Sequence, residues 1–193
     1  MRWISLIAMV IAFAGCNTLS KKNTTTYLPA GFNDDNVLAT YMGMTSDEVL
    51  KMYGNPKSVK KSVCGSQTPG GQWNCTTWEY GKFPYDRASF TFYDENGTMK
   101  INSFDIERDD KALPDSFTTE NIMKVKQGVP HILIYETFGP PKSVSQSICG
   151  AATGKPWICT KWEYGDPPYA NAQFTFSTTR DSSLLNDFSI ERD

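Results

Sequence analysis

The sequence predicts an α+β protein made of two tandem repeats, each a helix-turn-helix packed on a four-stranded antiparallel sheet. The first observation is an internal duplication, because the segment from Gly43 to Asp109 reappears from Gly128 to Asp193. The second is a pair of short helical patterns at the start of each copy. The third is a series of four segments with period-two alternation behind them. A duplicated unit of this length is a small domain and not a solenoid repeat.

The matching segments are spread over the whole of each copy. They pair Pro56–Val59 with Pro141–Val144, Cys64 and Cys75 with Cys149 and Cys159, Trp78–Gly81 with Trp162–Gly165, Phe90–Phe92 with Phe174–Phe176, and Ile106–Asp109 with Ile190–Asp193. We therefore divide the chain into a signal peptide (residues 1–15), a tether that begins with a lipidated cysteine (16–33), a first repeat (34–110) and a second repeat (111–193).

The N-terminus has the pattern of an export signal. Arg2 precedes an uncharged apolar run, residues 3–14, which is too short to span a bilayer as a mature helix. The run ends in Phe13-Ala14-Gly15-Cys16, which resembles a bacterial lipobox. The resemblance implies that Cys16 becomes an N-terminus carrying acyl chains such as palmitate, and Asn17 after it favours the outer membrane. The alternative is an ordinary signal peptide followed by an unrelated cysteine.

The residues after Cys16 are polar, and we expect 17–33 to form a flexible tether between lipid and domain. The whole chain has 19 Lys and Arg against 21 Asp and Glu, a net charge of −2, and no basic run. This composition argues against nucleic-acid binding. The predicted partners are the membrane, through the lipid, and another envelope protein. No cofactor, metal or small-molecule substrate is indicated.

Each copy opens with two predicted helices. In the first copy they cover about residues 34–41 and 46–53, and Thr45 with Glu48 forms the pattern of a capping box. Gly54 and Pro56 then end the helix. In the second copy the helices cover about 119–126 and 130–137, where Pro130 suits a first helical position.

Four strands follow in each copy. They are predicted at about 57–64, 74–80, 88–93 and 101–107, then at 142–149, 158–164, 172–177 and 186–191. Alternation places the large apolar side chains on one face, which we expect to pack under the helices: Val59, Val63, Trp78, Tyr80, Phe90, Phe92, Phe104 and Ile106, with their second-copy counterparts. The opposite face is polar, so we expect it to stay open.

The cysteines fit an oxidising compartment. Apart from Cys16, they fall at equivalent positions of the two copies, which predicts the disulfides Cys64–Cys75 and Cys149–Cys159. Each would stabilise the fold by roughly 3 kcal/mol in the chain-entropy model. The alternative is a zinc site, but the four cysteines lack Cys-x-x-Cys spacing and the single histidine lies elsewhere.

The helical part of the first copy resembles the BamE (SmpA/OmlA) family of outer-membrane lipoproteins. The match is carried by Gly43–Thr45, Val49, Gly54 and Pro56; the second copy departs from it with Gly128–Pro130. The tandem arrangement resembles the β-lactamase inhibitory proteins. That resemblance implies one disulfide per repeat and an open sheet face that grips a partner enzyme.

Four aromatic residues are candidates for partner binding. Trp73 and Trp157 lie beside the predicted disulfides on the open face, and tryptophan is frequent among interface anchors. The alternative is that each ring only stacks on its disulfide. Tyr85 and Tyr169, each after a proline in matching loops, are weaker candidates.

An enzyme is not predicted. Any Ser-His-Asp or Cys-His mechanism would need His131, the single histidine, which we place at a helix end. Glu79 and Glu163 recur because the unit is duplicated, and a polar sheet face accounts for them. The sequence therefore predicts a periplasm-facing outer-membrane lipoprotein that serves as a scaffold or accessory subunit of an envelope assembly. The alternative is an inhibitor of a periplasmic or extracellular enzyme such as a β-lactamase or protease.

Overall fold

The computed structural model describes residues 26–65, 71–108 and 112–192. The predicted signal peptide, Cys16 and the first part of the tether lie outside the described residues, as does the predicted repeat boundary at residues 110 and 111. Within the described ranges, no helix is long and apolar enough to cross a bilayer.

The described chain forms one antiparallel sheet with short helices on one side. The helices are α1 (Asp34–Ala39), α2 (Ser46–Tyr53), α3 (Thr119–Met123) and α4 (His131–Phe138), with a 3₁₀ turn at Ala151–Thr153. The strands are β1 (Ser58–Gly65), β2 (Gln72–Gly81), β3 (Arg87–Glu95), β4 (Thr98–Glu107), β5 (Ser143–Cys149), β6 (Trp157–Gly165), β7 (Asn171–Thr178) and β8 (Ser183–Glu191). They lie in the order β1 to β8, so each strand pairs with the next along the chain.

The predicted fold class is wrong. There are not two helix-turn-helix repeats on separate four-stranded sheets, because β4 pairs with β5 and joins all eight strands into one sheet. The four helices are only five to eight residues long and do not form a layer of their own. The alternation of a strand shows which face is apolar, but it does not show whether the edge is paired. Joining two edges that would otherwise expose backbone hydrogen-bonding groups favours the single sheet.

The core lies between the helices and the apolar face of the sheet. It contains two equivalent groups of stacked or edge-to-face rings: Phe32, Tyr53, Tyr80 and Phe90 in the first half, and Phe117, Phe138, Tyr164 and Phe174 in the second. The two buried tyrosines also fix the helix ends. Tyr80 Oη donates to Gly54 O at 2.9 Å, and Tyr164 Oη donates to Gly139 O at 3.0 Å.

The capping box predicted at the start of α2 is present. Thr45 Oγ1 accepts a hydrogen bond from Glu48 N, and Glu48 Oε2 accepts one from Thr45 N, which completes the capping box. Pro130 precedes α4 as its N-cap, so the helix begins one residue later than predicted.

The prediction that the apolar side chains of β1 pack under helices is wrong. Val59 is 54 % exposed and Val63 is 62 % exposed. Val144, the equivalent of Val59, is only 3 % exposed because the end of α1 lies above β5. Within the described chain, nothing takes the corresponding place above β1, which is an edge strand.

Candidate functional site

The face of the sheet opposite the helices is defined here as the open face, and it runs without interruption across the junction of β4 and β5. In the first half the paired positions Lys60, Thr77, Thr91 and Ser103 cross it as one row. A second row starts at Asp105 on β4 and crosses the second half through Ser145, Lys161, Thr175 and Asp187. These side chains share a face because residues two apart on a strand point the same way. The open face is therefore a broad polar surface on a rigid backbone.

One end of the open face carries the first candidate aromatic residue. Trp73 is half-buried on β2, and its ring meets the ring of Tyr93 edge-on, with 6.5 Å between centroids. Tyr93 lies opposite Cys75, whose disulfide partner Cys64 lies opposite Trp73. Together with Asn74, Asp94 and Asn102, the two rings line a shallow hollow of about 380 Å³. A disulfide and two packed rings make this corner of the face rigid.

The equivalent corner of the second half differs. Trp157 lies opposite Cys149, as expected from the duplication, but Ser177 stands opposite Cys159 where the first half has Tyr93. The Trp157 ring lies against Gly150, whose φ is +71°. A Cβ on that glycine would come within 2.9 Å of the indole Nε1. Trp157 is thus held by local packing. It lacks the second ring that, beside Trp73, gives the first half a rigid aromatic surface.

Both cysteine pairs lie at disulfide distance. The Cα atoms are 5.8 Å apart in Cys64–Cys75 and 5.7 Å apart in Cys149–Cys159. Each bridge joins neighbouring strands at the same end of the sheet. Among the described residues, no group of three or more His, Cys, Asp or Glu side chains could hold a metal ion.

The open face is charged where β3 begins and β4 ends. Arg87 Nε donates to Glu107 Oε2 at 2.8 Å. Beside this pair, burial raises the pKa of the Asp105 carboxyl; Arg87 opposes the rise, while Glu107 and Glu163 add to it. A partly desolvated carboxylate is stabilised in its charged form by a further cationic group nearby. The open face around Asp105 is therefore suited to receive a lysine or arginine side chain.

The edge of the face near β1 carries an ion pair. Lys60 Nζ lies 2.6 Å from Glu79 Oε1, and Ser58 Oγ donates to the other oxygen of Glu79 at 2.7 Å. The hydrogen bonds from Lys60 and from Ser58 hold the pKa of Glu79 below its ordinary value. Glu79 is thus a satisfied surface carboxylate.

Tyr85 and Tyr169 lie at the other end of the strands from the tryptophans. Tyr85 stacks on Tyr27 at 4.9 Å between centroids, and Tyr169 is 70 % exposed in the loop between β6 and β7. At about 3.4 Å per residue, the eight steps from Trp73 to Gly81 span roughly 27 Å. The four aromatic candidates therefore do not form one site; they mark two ends of the sheet.

His131 lies on the helix side of the sheet, in a cavity of about 690 Å³ between the end of α1 and strands β5 to β8. Its ring meets Trp162 edge-on at 5.7 Å, and its Nδ1 lies 3.3 Å from Ser183 O. Glu163 follows Trp162 and points to the opposite face. The structure does not bring His131 and Glu163 together as an acid–base pair.

A polar network spans the same cavity. Met42 N donates to Gln146 Oε1 at 2.8 Å, and Gln146 Nε2 donates to Thr160 Oγ1 at 2.8 Å. The Thr160 hydroxyl lies 2.6 Å from the hydroxyl of Thr178, which is 2.9 Å from that of Ser183. The chain of hydrogen bonds ties the first half to the second across the β4–β5 junction.

Sequence reasoning assigned Asp105 and Glu107 to the polar face, but it missed Tyr93, Arg87 and the interactions that these residues make there. Tyr93 could have been found by extending the alternation of the third strand by one more step. The environment of the partly buried Asp105 carboxyl includes Arg87 from a neighbouring strand, and strand register is not visible in the sequence. The same holds for the Arg87–Glu107 pair.

Comparison with known proteins identifies a fold and no family. No family model and no curated protein sequence matches the chain. The chain is similar in structure to a crystal structure described as a "putative beta-lactamase inhibitor protein" from Streptococcus mutans, with a TM-score of 0.53 and 13 % sequence identity. The similarity covers 86 % of this chain and 90 % of that one.

The similarity establishes that the two chains share an overall fold over most of their length. It bears out the resemblance to β-lactamase inhibitory proteins at the level of fold. The resemblance to the BamE family, predicted from Gly43–Thr45 and the residues after it, is not confirmed.

Proposed function

We propose that this chain is a protein-binding module that holds its partner on the open face of the sheet. The observation that supports this proposal is the asymmetry of the sheet: the helices and the aromatic core lie on one face, while the other presents a continuous polar surface with an aromatic corner. Antiparallel sheets tolerate such an exposed face. A rigid backbone with half-buried anchors limits the entropy lost on binding.

Two features of the open face define the chemistry of the partner. The Trp73–Tyr93 corner offers two large rings and a hollow suited to an apolar or aromatic side chain. The region around Asp105, near the end of β4, favours a lysine or arginine. The partner we propose is therefore a folded protein that presents an apolar group and a basic group on one surface.

Binding can be tested with variants at the aromatic corner. A photo-crosslinking residue at Thr91, in the middle of the open face, would identify the partner in cells, and the purified partner would then be titrated. Trp73→Ala is expected to weaken binding at least about tenfold, equal to about 1.4 kcal/mol. The matched control is Leu133→Ala, since Leu133 is 47 % exposed but lies on α4. Equal losses from both variants would contradict the proposal.

We propose the inhibition of an enzyme as one use of this face, supported by the shared fold with the Streptococcus mutans protein. The test is to measure β-lactamase and protease hydrolysis with increasing amounts of the full-length protein. Inhibition at sub-micromolar concentration that Trp73→Ala removes would favour an inhibitor. No inhibition across the panel, together with a photo-crosslinked envelope protein, would favour a scaffold or accessory subunit.

We also propose a lipid anchor at Cys16 and an outer-membrane location, supported by the lipobox-like Phe13–Cys16. Two or three acyl chains hold a protein at a membrane far more firmly than one chain does. Mass spectrometry of the purified protein would show the acyl groups, and Cys16→Ser should release the protein from the membrane fraction. An unacylated N-terminus would rule the anchor out.

A further inference from the structure

The two outer edges of the sheet differ in character. The outer edge of β1 is unpaired within the described chain and carries Lys57, Lys60 and Lys61 next to the exposed Val59. On β8, residues 184 and 185 are bridged by the segment before α4, while residues 188–191 are free on their outer side among the described residues. An unpaired edge next to exposed apolar side chains is a template for another strand.

The junction of β4 and β5 shows how such edges pair in this protein. Its register places Phe104 opposite Gln146, Ile106 opposite Val144, and Glu107 opposite Ser143. Beyond the paired residues, Arg108 N donates to Lys142 O at 3.0 Å, and Arg108 Nη2 donates to Pro141 O at 2.6 Å. Lys142 Nζ lies 3.9 Å from Glu107 Oε1.

The free edges carry the equivalents of both sides of this junction. The duplication equates the β4 segment Phe104–Glu107 with Phe188–Glu191 of β8, and the β5 segment Ser143–Gln146 with Ser58–Lys61 of β1. Three of the four positions have the same residue in both segments, namely phenylalanine, isoleucine and glutamate. The fourth is Asp105 in β4 and Ser189 in β8.

We propose that the free edge of β8 binds the free edge of β1 of a second copy of this chain, in the register of the β4–β5 junction. Ile190 then lies opposite Val59 of the second copy, Ser189 opposite Lys60, and Phe188 opposite Lys61. The contact is head-to-tail, so each added copy leaves one β1 edge and one β8 edge free.

On the helix side of the sheet, an apolar side chain of α3 is placed to pack over the proposed junction. Leu38 of α1 lines the cavity above Val144, and its equivalent on α3 is Met123. The segments before the two residues are held alike: Asn36 Nδ2 donates to Gly31 O, and Asn121 Nδ2 donates to Ser116 O, both at 2.9 Å. Met123 is 81 % exposed. In the proposed pairing it covers Val59 of the second copy, so two exposed apolar side chains bury each other.

Charge favours this arrangement over its alternatives. Glu191 meets Lys57 of the second copy, which repeats the Glu107–Lys142 contact. Two β1 edges would bring their lysines together and repel. The pairing is weaker than the internal junction at one point: Lys61 replaces Gln146 and cannot accept the hydrogen bond that Met42 N donates there. We therefore expect this association to be weak and to occur at high local concentrations of the protein.

Sedimentation equilibrium of the full-length protein in detergent, over a series of concentrations, tests the proposal. The average mass should rise with concentration and pass beyond a dimer. Val59→Asp should lower the association constant at least about tenfold, or about 1.4 kcal/mol. Val63→Asp is the matched control, because Val63 has the same type, face and exposure but lies outside the four paired positions. Lys61→Gln, which restores the residue of the internal junction, should strengthen association.

Cysteine crosslinking tests the register. A mixture of the Lys60→Cys and Ser189→Cys variants should give a disulfide-linked dimer, and a mixture of Lys61→Cys with Ser189→Cys should give several-fold less, because Lys61 points to the other face. A protein that stays monomeric up to about 0.5 mM would overturn the proposal. So would Lys60→Cys dimers formed without the Ser189→Cys variant, or equal loss of association in the Val59→Asp and Val63→Asp variants.

Discussion

Val59 and Val144 offer a direct test of the single eight-stranded sheet. They occupy equivalent positions on β1 and β5, yet Val59 is 54 % exposed and Val144 is 3 % exposed. If the two halves were separate units, the two valines would have the same surroundings. Replacing each by alanine therefore compares a covered strand with an edge strand, with the chemistry of the substitution held constant.

The expected losses follow from burial. The substitution removes two carbon atoms, and at about 0.8 kcal/mol per buried methylene the loss at Val144 is about 1.6 kcal/mol, rising to about 2 kcal/mol with the cavity left behind. At Val59 about half of the side chain is already exposed in the folded protein, so the loss of stability is about 0.7 kcal/mol. Both variants lose the same preference of valine for strands, which cancels in the comparison.

Urea unfolding followed by circular dichroism measures the difference. The free energy of unfolding should fall by about 1 kcal/mol more in Val144→Ala than in Val59→Ala, with equal slopes against urea concentration. The corresponding difference in Tm is roughly 2–4 °C for a chain of this size. Equal losses in the two variants would refute the covered junction and, with it, the continuous sheet.

Three further predictions concern the disulfides, the open face and the core. Cys64→Ala combined with Cys75→Ala should cost about 3 kcal/mol, since the bridge closes a loop with a sequence separation of 11; non-reducing thermal melts measure this. Because burial raises the pKa of Asp105 in the folded state, folding is favoured as this carboxyl gains its proton, so Asp105→Asn should raise Tm at pH 7 and the gain should shrink as the pH falls towards 3.8. Tyr164→Phe should cost about 1 kcal/mol in urea unfolding, because the partly buried carbonyl of Gly139 loses its donor.

Each of these has an outcome that contradicts it. A melting temperature unchanged without Cys64–Cys75 would show that the denatured chain is not constrained by this loop. A stabilising effect of Asp105→Asn that grows at low pH would reverse the sign of the argument. A Tyr164→Phe variant as stable as the parent would mean that the Gly139 carbonyl finds another donor.

The sequence predicted the elements better than their assembly. Period-two alternation located eight strands and placed Phe90, Phe174 and the other large rings on the core face, because side-chain direction along a strand is a local property. The capping box at Thr45 was equally local. The pairing of β4 with β5 could not be predicted, because backbone hydrogen bonds between strands leave no pattern in the residues that form them.

In the candidate site, too, the features of a single strand could be predicted and the contacts between strands could not. Trp73 was placed on the open face by parity, but its ring contact with Tyr93 needs the register of β2 against β3. The exposure of Val59 depends on what lies above the sheet, and only the equivalent Val144 is covered. The raised pKa of Asp105 comes from burial and is modified by charges on three strands, of which Arg87 lowers it while Glu107 and Glu163 raise it. Properties set by one strand could be predicted, and those set by several strands could not.

The order of the strands also determines how this chain folds. Six of the seven strand pairs join neighbours through connections of two to seven residues, so each can close as a local hairpin. The β4–β5 pair must instead bring together strands separated by residues 108–142, and the entropy of closing a loop grows with its length. We therefore expect the strands of each half to pair early and the β4–β5 pair to form last. The same β4–β5 pair should be the first strand pair to open in the native protein, so its hydrogen-bonded amides should exchange faster than those of the other six strand pairs.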